Sequence, residues 1–227
     1  MKYRPEIDGL RAIAVVPVIL FHAGFELFSG GFVGVDIFFV ISGFLITQII
    51  INEIDAGKFK IRNFYSRRIR RIIPSLLVVL ATTLILGWFL LLPQDYAQLG
   101  SVTTGATVFI TNFVLWSQVG YFDADAIQKP LLHLWSLSIE EQFYLLWPLI
   151  LFLLFKVRKY AFALTGVMLI SSFYTAYRYR HINPDLAFYS PAPRFWELLV
   201  GAALAFAFDV AFLGDFLTAI PALFQFK

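Results

Sequence analysis

His22 is the first residue whose type and position suggest chemistry. It lies in an otherwise apolar run that starts at Ala12, eleven positions after Arg11. On one helix, eleven steps of about 100° return to within roughly 20° of the start, with Arg11 and His22 about 16 Å apart. One helix can therefore carry a guanidinium near one membrane face and an imidazole deep in the bilayer. A titratable ring without water is costly. Because it changes charge near neutral pH, it suits a general base or a proton relay. The plainer reading is a packing histidine bonded to a nearby carbonyl.

A second candidate is Phe64-Tyr-Ser-Arg-Arg-Ile-Arg-Arg-Ile-Ile-Pro74. Arg68 and Arg71 are three apart and face the same way on a helix. Paired guanidiniums bind phosphates in fixed geometry, although such a block also serves as a simple cytoplasmic anchor. The third is His133-Leu-Trp-Ser-Leu-Ser-Ile-Glu-Glu-Gln-Phe-Tyr-Leu-Leu-Trp-Pro148. If it is helical, His133 and Glu140 share a face two turns apart. Ser136 and Glu141 then join them at the mouth of a span. Trp135, Tyr144 and Trp147 equally suit an interfacial aromatic belt. Asp36 either caps the second span or pairs with His22 or an arginine. A carboxylate on an imidazole fixes its tautomer. Gly30, Gly31 and Gly34 follow no strand, so they are no dinucleotide fingerprint. They suit close helix packing.

The elements that must carry these groups are membrane helices. Of 227 residues, 59% are hydrophobic and only 15% charged, far from the balance of a soluble domain. The mean hydropathy is +0.77. The fold class is therefore all-α, a polytopic transmembrane helical bundle. No cysteine is present, which removes disulfides, thiolate metal sites and a cysteine nucleophile. The net charge of +3 is clustered. Clustering in such a chain reports topology before nucleic acid, and no nucleic-acid partner is expected.

Spans are predicted at Ala12–Phe28, Phe32–Ile51, Ile72–Leu92, Ser138–Phe155 and Tyr160–Tyr177, with another opening at Phe195 and a weak apolar tail at 212–226. A basic loop, Asn52–Arg71, separates the second and third. The positive-inside rule puts this loop, and with it the N-terminus, in the cytoplasm. Leu99–Trp116 is long enough to cross but rich in threonine. Either it crosses, or it is re-entrant and buried in protein, where irregular backbone is tolerated. The re-entrant reading keeps Lys156 and Lys159 inside and is preferred. Gln118–Leu134 and Arg178–Asp185 are read as polar loops. No signal-peptide cleavage pattern ends the first span. G-x-S-x-G, H-E-x-x-H and P-loop motifs are missing, so no metal is expected.

With these motifs the chain resembles the acyltransferase 3 family of integral membrane O-acyltransferases. The likeness rests on Asp8-Gly-Leu-Arg-Ala-Ile-Ala with His22, Gly34-Val-Asp-Ile-Phe-Phe-Val-Ile-Ser-Gly-Phe-Leu-Ile46, the arginine block and the His133–Pro148 segment. Pro193-Arg-Phe-Trp-Glu-Leu-Leu-Val-Gly201 is similar to a stretch best known from members fused to an SGNH-type domain. The likeness runs from about Tyr3 to Leu204.

It implies a multi-pass enzyme of the bacterial inner membrane. Such an enzyme moves an acyl group, usually acetyl, from cytoplasmic acyl-CoA to hydroxyls of a surface glycan such as O-antigen of lipopolysaccharide, exopolysaccharide or peptidoglycan. The resemblance implies catalytic roles for His22 and Glu140 and donor-binding roles for Arg11, Arg68 and Arg71. Asp36, His133, Ser136 and Glu141 are the supporting candidates. Residues 1–209 are read as the N-terminal part of the family's membrane domain, with six to seven spans, and 210–227 as a divergent or truncated tail. A missing half-bundle would leave the short chain inactive. A transporter or flippase subunit for a lipid-linked sugar, with His22 and Glu140 on a polar path, is the competing function. A non-catalytic remnant is a third.

Overall fold

The computed structural model describes residues 5–118, 129–155 and 158–209, and every regular element among them is helical. Helix α1 spans Pro5–His22, α2 Gly34–Asp55, α3 Ile61–Leu90, α4 Pro93–Thr107 and α5 Thr111–Gln118. After the segment 119–128, which lies outside the described residues together with its Asp123 and Asp125, come α6 at Leu134–Leu154, α7 at Arg158–Tyr179, α8 at Pro184–Tyr189 and α9 at Phe195–Phe208. The apolar tail at 212–226 is also outside the described residues.

Three helix ends share one device, and it corrects three predicted boundaries. At the first, Gly24 takes a φ of 80°. The Gly24 N–H donates to the Phe21 carbonyl and the Phe25 N–H to the Leu20 carbonyl, at 3.0 and 3.1 Å. This is the left-handed closure that caps helices at glycine. It ends α1 at His22, six residues before the predicted limit, and a separate 3-10 turn follows at Glu26–Phe28. The same pattern recurs at Gly57, φ 64°, where the Lys58 N–H reaches the Glu53 carbonyl at 2.8 Å. Thus α2 runs to Asp55 and α3 starts at Ile61. The predicted basic loop shrinks to 56–60, and Arg67, Arg68, Arg70 and Arg71 sit on a 30-residue helix. Arginine is a good helix former, and its long stem lets the charge leave an apolar surface.

The third closure falls in the ambiguous stretch 99–116. Phe109 takes a φ of 56°, and the Ile110 N–H donates to the Gly105 carbonyl at 2.8 Å. A bulky residue there costs on the order of 1 kcal/mol. The Gln142 side chain holds the turn by donating to the Phe109 carbonyl at 2.8 Å. The chain then doubles back. Gln118 Nε2 donates to Ser101 Oγ at 2.6 Å, so α4 and α5 form a hairpin rather than one crossing helix. Its polar residues bond into the bundle. The Thr111 N–H donates to Ser138 Oγ at 3.1 Å, and Asn112 Nδ2 donates to the Tyr189 carbonyl at 2.9 Å.

Helices α2, α6 and α9 run side by side and form the centre. Trp147 Nε1 donates to Thr47 Oγ1 at 2.7 Å, and Phe39 meets Trp135 edge to face. The closest approach is between α2 and α9. A Cβ on Gly43 would fall 1.9 Å from the Leu198 carbonyl oxygen, and one on Gly201 would fall 1.9 Å from that of Val40. Small residues let membrane helices approach to backbone contact. Gly31 and Gly34 do the same against Pro17 and Ala14 of α1, which agrees with the packing role read from the sequence.

Gly31–Asp55, Ile61–Leu90, Leu134–Leu154 and Tyr160–Tyr179 are long and apolar enough to cross a membrane, while α9 is apolar but shorter. Outward faces such as Val78, Ile85, Trp88 and Phe89 of α3 are exposed, as lipid-facing helices require. The protein is an all-α, multi-pass membrane bundle. Replacing Gly43 or Gly201 with leucine is expected to destabilise it by about 1–3 kcal/mol or more through overpacking. The check is the unfolding midpoint in detergent, where Gly166→Leu, at a site with open space, should shift it far less.

Candidate functional site

Most of the named side chains fall into three groups along the α2–α6 seam. The first joins α3 to α6. The Arg68 guanidinium lies 3.7 Å from the centre of the Tyr144 ring, a close cation–π stack. The Tyr144 hydroxyl donates a short hydrogen bond to Glu140 Oε1. Ser42 of α2 also bonds Tyr144 through its side chain. Glu140 is buried. The neighbouring Glu141 feels Arg68, Glu140 and Arg71 electrostatically. Two buried atoms here lack a hydrogen-bond partner, Arg68 Nε and Glu141 Oε1. Arg71 is exposed. The two arginines thus stand near the same acid, although only Arg68 is turned into the bundle. Of the rest of the block, Arg67 is paired with Glu53 at 2.6 Å and Arg70 donates to Ser66 Oγ.

The second group lies at the N-terminal end of α6, about two turns before Glu140. His22 is the last residue of α1 and is exposed, not midway along a span as predicted. Its Nδ1 sits 2.8 Å from the Val18 carbonyl oxygen. A carbonyl only accepts, so Nδ1 carries a proton, which in the neutral ring leaves the lone pair on Nε2. His133 precedes α6 and is close enough to interact with His22 electrostatically. Desolvation, and secondarily the nearby His22, hold the His133 pKa below the ordinary imidazole value. Ser136 Oγ donates to the His133 carbonyl at 3.0 Å, a local bond within the first turn of α6.

The third group resolves the alternatives left for Asp36. Its partner is an arginine: Arg194 donates to Asp36 Oδ1 at 3.0 Å and to Glu197 Oε1 at 2.6 Å. Glu197 is 0% exposed. The Arg194 guanidinium also lies 5.2 to 5.9 Å from the rings of Trp135, Phe188 and Phe39. One cation therefore ties α2, α6, α8 and α9 together. Arg11 stands apart from the arginine block, over the Phe38 ring at 4.9 Å.

The structure does not gather His22, Glu140, Arg11, Arg68 and Arg71 around one point. It pairs His22 with His133, sets Glu140 under Arg68, and leaves Arg11 on the α1–α2 face. Sequence reasoning missed Tyr144 and Ser42, which link Glu140 to Arg68 and α2, and it missed Arg194 with Glu197. A signal existed for the last pair, since a glutamate in the apolar run Phe195–Phe208 demands a cation. Tyr144 gave none, because an interfacial tyrosine is ordinary. Among the described residues, no three His, Asp or Glu side chains cluster as a metal site would need.

The sequence has known relatives. The chain is similar to the peptidoglycan O-acetyltransferase OatA of Listeria monocytogenes, with 38% identity over 90% of this chain and 34% of the relative. It is also similar to the O-acetyltransferase OatA of Staphylococcus aureus, with 40% identity over 90% of this chain and 35% of the relative. The chain thus spans about a third of the length of the curated relatives it matches. No solved structure matches it. The family described as Acyltransferase domain matches residues 4–226, beyond Leu204 where the motif resemblance ends. The chain belongs to the acyltransferase 3 family.

Proposed function

We propose that this chain is the membrane part of an O-acyltransferase that moves an acetyl group from cytoplasmic acetyl-CoA to hydroxyls of a cell-wall polysaccharide. What carries the reading is the series Arg68–Tyr144–Glu140, where a half-buried cation with an unpartnered Nε adjoins a buried tyrosine–carboxylate pair. Cations with bonding capacity to spare suit the phosphates of a nucleotide thioester. The peptidoglycan named for the Listeria relative favours that acceptor over lipopolysaccharide or other glycans. The cationic end, with Lys58, Lys60, Arg62 and the arginine block, is read as cytoplasmic, which sets the N-terminus there and the protein in the bacterial inner membrane.

In this reading, the roles follow from the chemistry of each group. Arg68 and Arg71 hold the donor, and Glu140 with Tyr144 orients it from beneath. Arg11 supports the α1–α2 face. Asp36, through Arg194, fixes the helix that carries Ser42. His22 is the general base on the acceptor side. Its Nε2 takes the proton from a glycan hydroxyl. The hydroxyl oxygen bonds to the acyl carbon, and the thiolate of the donor leaves with a proton. His133 and Ser136 keep the first turn of α6 beside that base, and Glu141 balances the arginines.

Two substitutions test this on membranes carrying the chain within its full reading frame, with labelled acetyl-CoA followed into the glycan fraction. His22→Ala is expected to lower transfer by about 10²- to 10⁴-fold, the usual contribution of a general base. Undiminished label in glycan would remove His22 from the reaction. Movement of an unmodified lipid-linked sugar without any donor would favour the transporter reading. Arg68→Lys keeps the charge but loses the planar fork. It is expected to raise the KM for acetyl-CoA about tenfold or more, with a smaller change in kcat. An unchanged KM would make Arg68 purely structural.

A further inference from the structure

The donor end of the proposed reaction rests on Arg68, and the bonding of Arg68 itself does not fix where it stands. The guanidinium leans half-buried on the Tyr144 ring, with its Nε unpartnered. A cation–π contact is loose in geometry, because the whole face of the ring attracts the charge. The backbones of α3 and α6 do not pack closely either. The spacing of the two helices at this level must therefore come from another side chain.

Tyr65 is that side chain. It stands three positions before Arg68 on α3, and residues three apart are neighbours on a helix face. Its hydroxyl donates to the Leu145 carbonyl at 2.8 Å. Leu145 directly follows Tyr144, so this bond and the Arg68 stack are adjacent links between the same two helices. Among the described residues it is the one hydrogen bond that joins α3 to α6. Its place on α6 matters for a second reason. Pro148 has no N–H, so it withholds the donor that the Tyr144 carbonyl would otherwise meet within the helix. Helices bend at such points. The Tyr65 bond fastens α6 where its own ladder is interrupted, beside the ring on which Arg68 rests. The Tyr65 ring also meets the buried Phe64 ring edge to face at 5.3 Å, a contact that does not involve the hydroxyl.

We infer that Tyr65 is a positioning residue for the donor: its hydroxyl holds the Tyr144 segment of α6 at the distance from α3 at which Arg68 presents its unused N–H groups to a phosphate. Tyr65 acts through Arg68 and makes no contact of its own with the donor. The inference rests on the reading of Arg68 as the donor-binding cation. A guanidinium binds phosphate through a planar fork, and that fork loses its advantage when its plane is not held in place.

The test is a double-mutant cycle on the chain within its full reading frame, purified into nanodiscs. Donor affinity is measured by calorimetry with desulfo-CoA, which cannot carry an acyl group, and kcat and KM come from the labelled-acetyl assay. Tyr65→Phe removes one hydroxyl and keeps the ring. It is expected to weaken desulfo-CoA binding and raise the KM for acetyl-CoA by about two- to tenfold, the worth of one hydrogen bond, with kcat unchanged. In an Arg68→Lys background the same substitution is expected to change neither quantity. A penalty of equal size in both backgrounds would overturn action through Arg68. Unchanged donor affinity in Tyr65→Phe, beside a loss in Arg68→Lys, would overturn the positioning role alone and leave Arg68 as the donor cation. A lower kcat and a lower melting midpoint with KM unchanged would make Tyr65 structural only, and would overturn the role as well. Unchanged affinity in Arg68→Lys would overturn the donor reading itself, and the role of Tyr65 with it.

Discussion

A guanidinium inside a membrane bundle is tolerable only if acids and rings surround it, and Arg194 imposes that condition on half of this fold. Its two carboxylate partners come from α2 and α9, and its aromatic neighbours come from α2, α6 and α8. Satisfying it brings α2 and α9 to one register. Gly43 and Gly201 then let the two backbones touch. Removing the cation would leave Asp36 and Glu197 facing each other without compensation. The ion cluster and the glycines are thus one design, in which the charge sets the register and the missing side chains allow the contact.

The seam built in this way carries chemistry at two levels. Tyr144 and Glu140 hang from α6 on the side where Arg68 leans in from α3, while His133 starts the same helix beside His22. One continuous helix thereby connects a cationic site and an imidazole site. The hairpin α4–α5 is fastened to this helix by Ser138 and Gln142, which alternate along α6 with the residues of the candidate site. A shift of α6 along its axis would be felt at both levels and at the hairpin tip together.

Much of this was legible in the sequence because membranes enforce simple rules. Composition and run length gave the all-α class, and the arginine block marked one end of the bundle. The helix limits were less legible, and for one reason. Gly24 and Gly57 look like any loop glycine, yet each closes a helix from the left-handed region, and Phe109 does the same where no glycine advertises it. His22 was consequently read as lying midway along a span, when Gly24 makes it the last residue of its helix. The motif residues were visible one by one, but their partners were not. Asp36 lies 158 positions from Arg194, and no local period links the two. Tyr144 hid among the aromatic residues that any membrane helix carries.

The hairpin α4–α5 leaves a mark on the whole chain through parity. It departs from the end of α3 and returns toward that same end, so it adds no crossing to the count. Every later helix then inherits the sidedness set by α2 and α3. An insertion, a shortening or even a loss of the hairpin would leave α6, α7 and α9 facing as they do now. The loss of any one true span would turn all of them over. The hairpin is in this sense a topologically silent segment: its packing holds it to α6 and α8, but its presence does not decide which way the bundle faces.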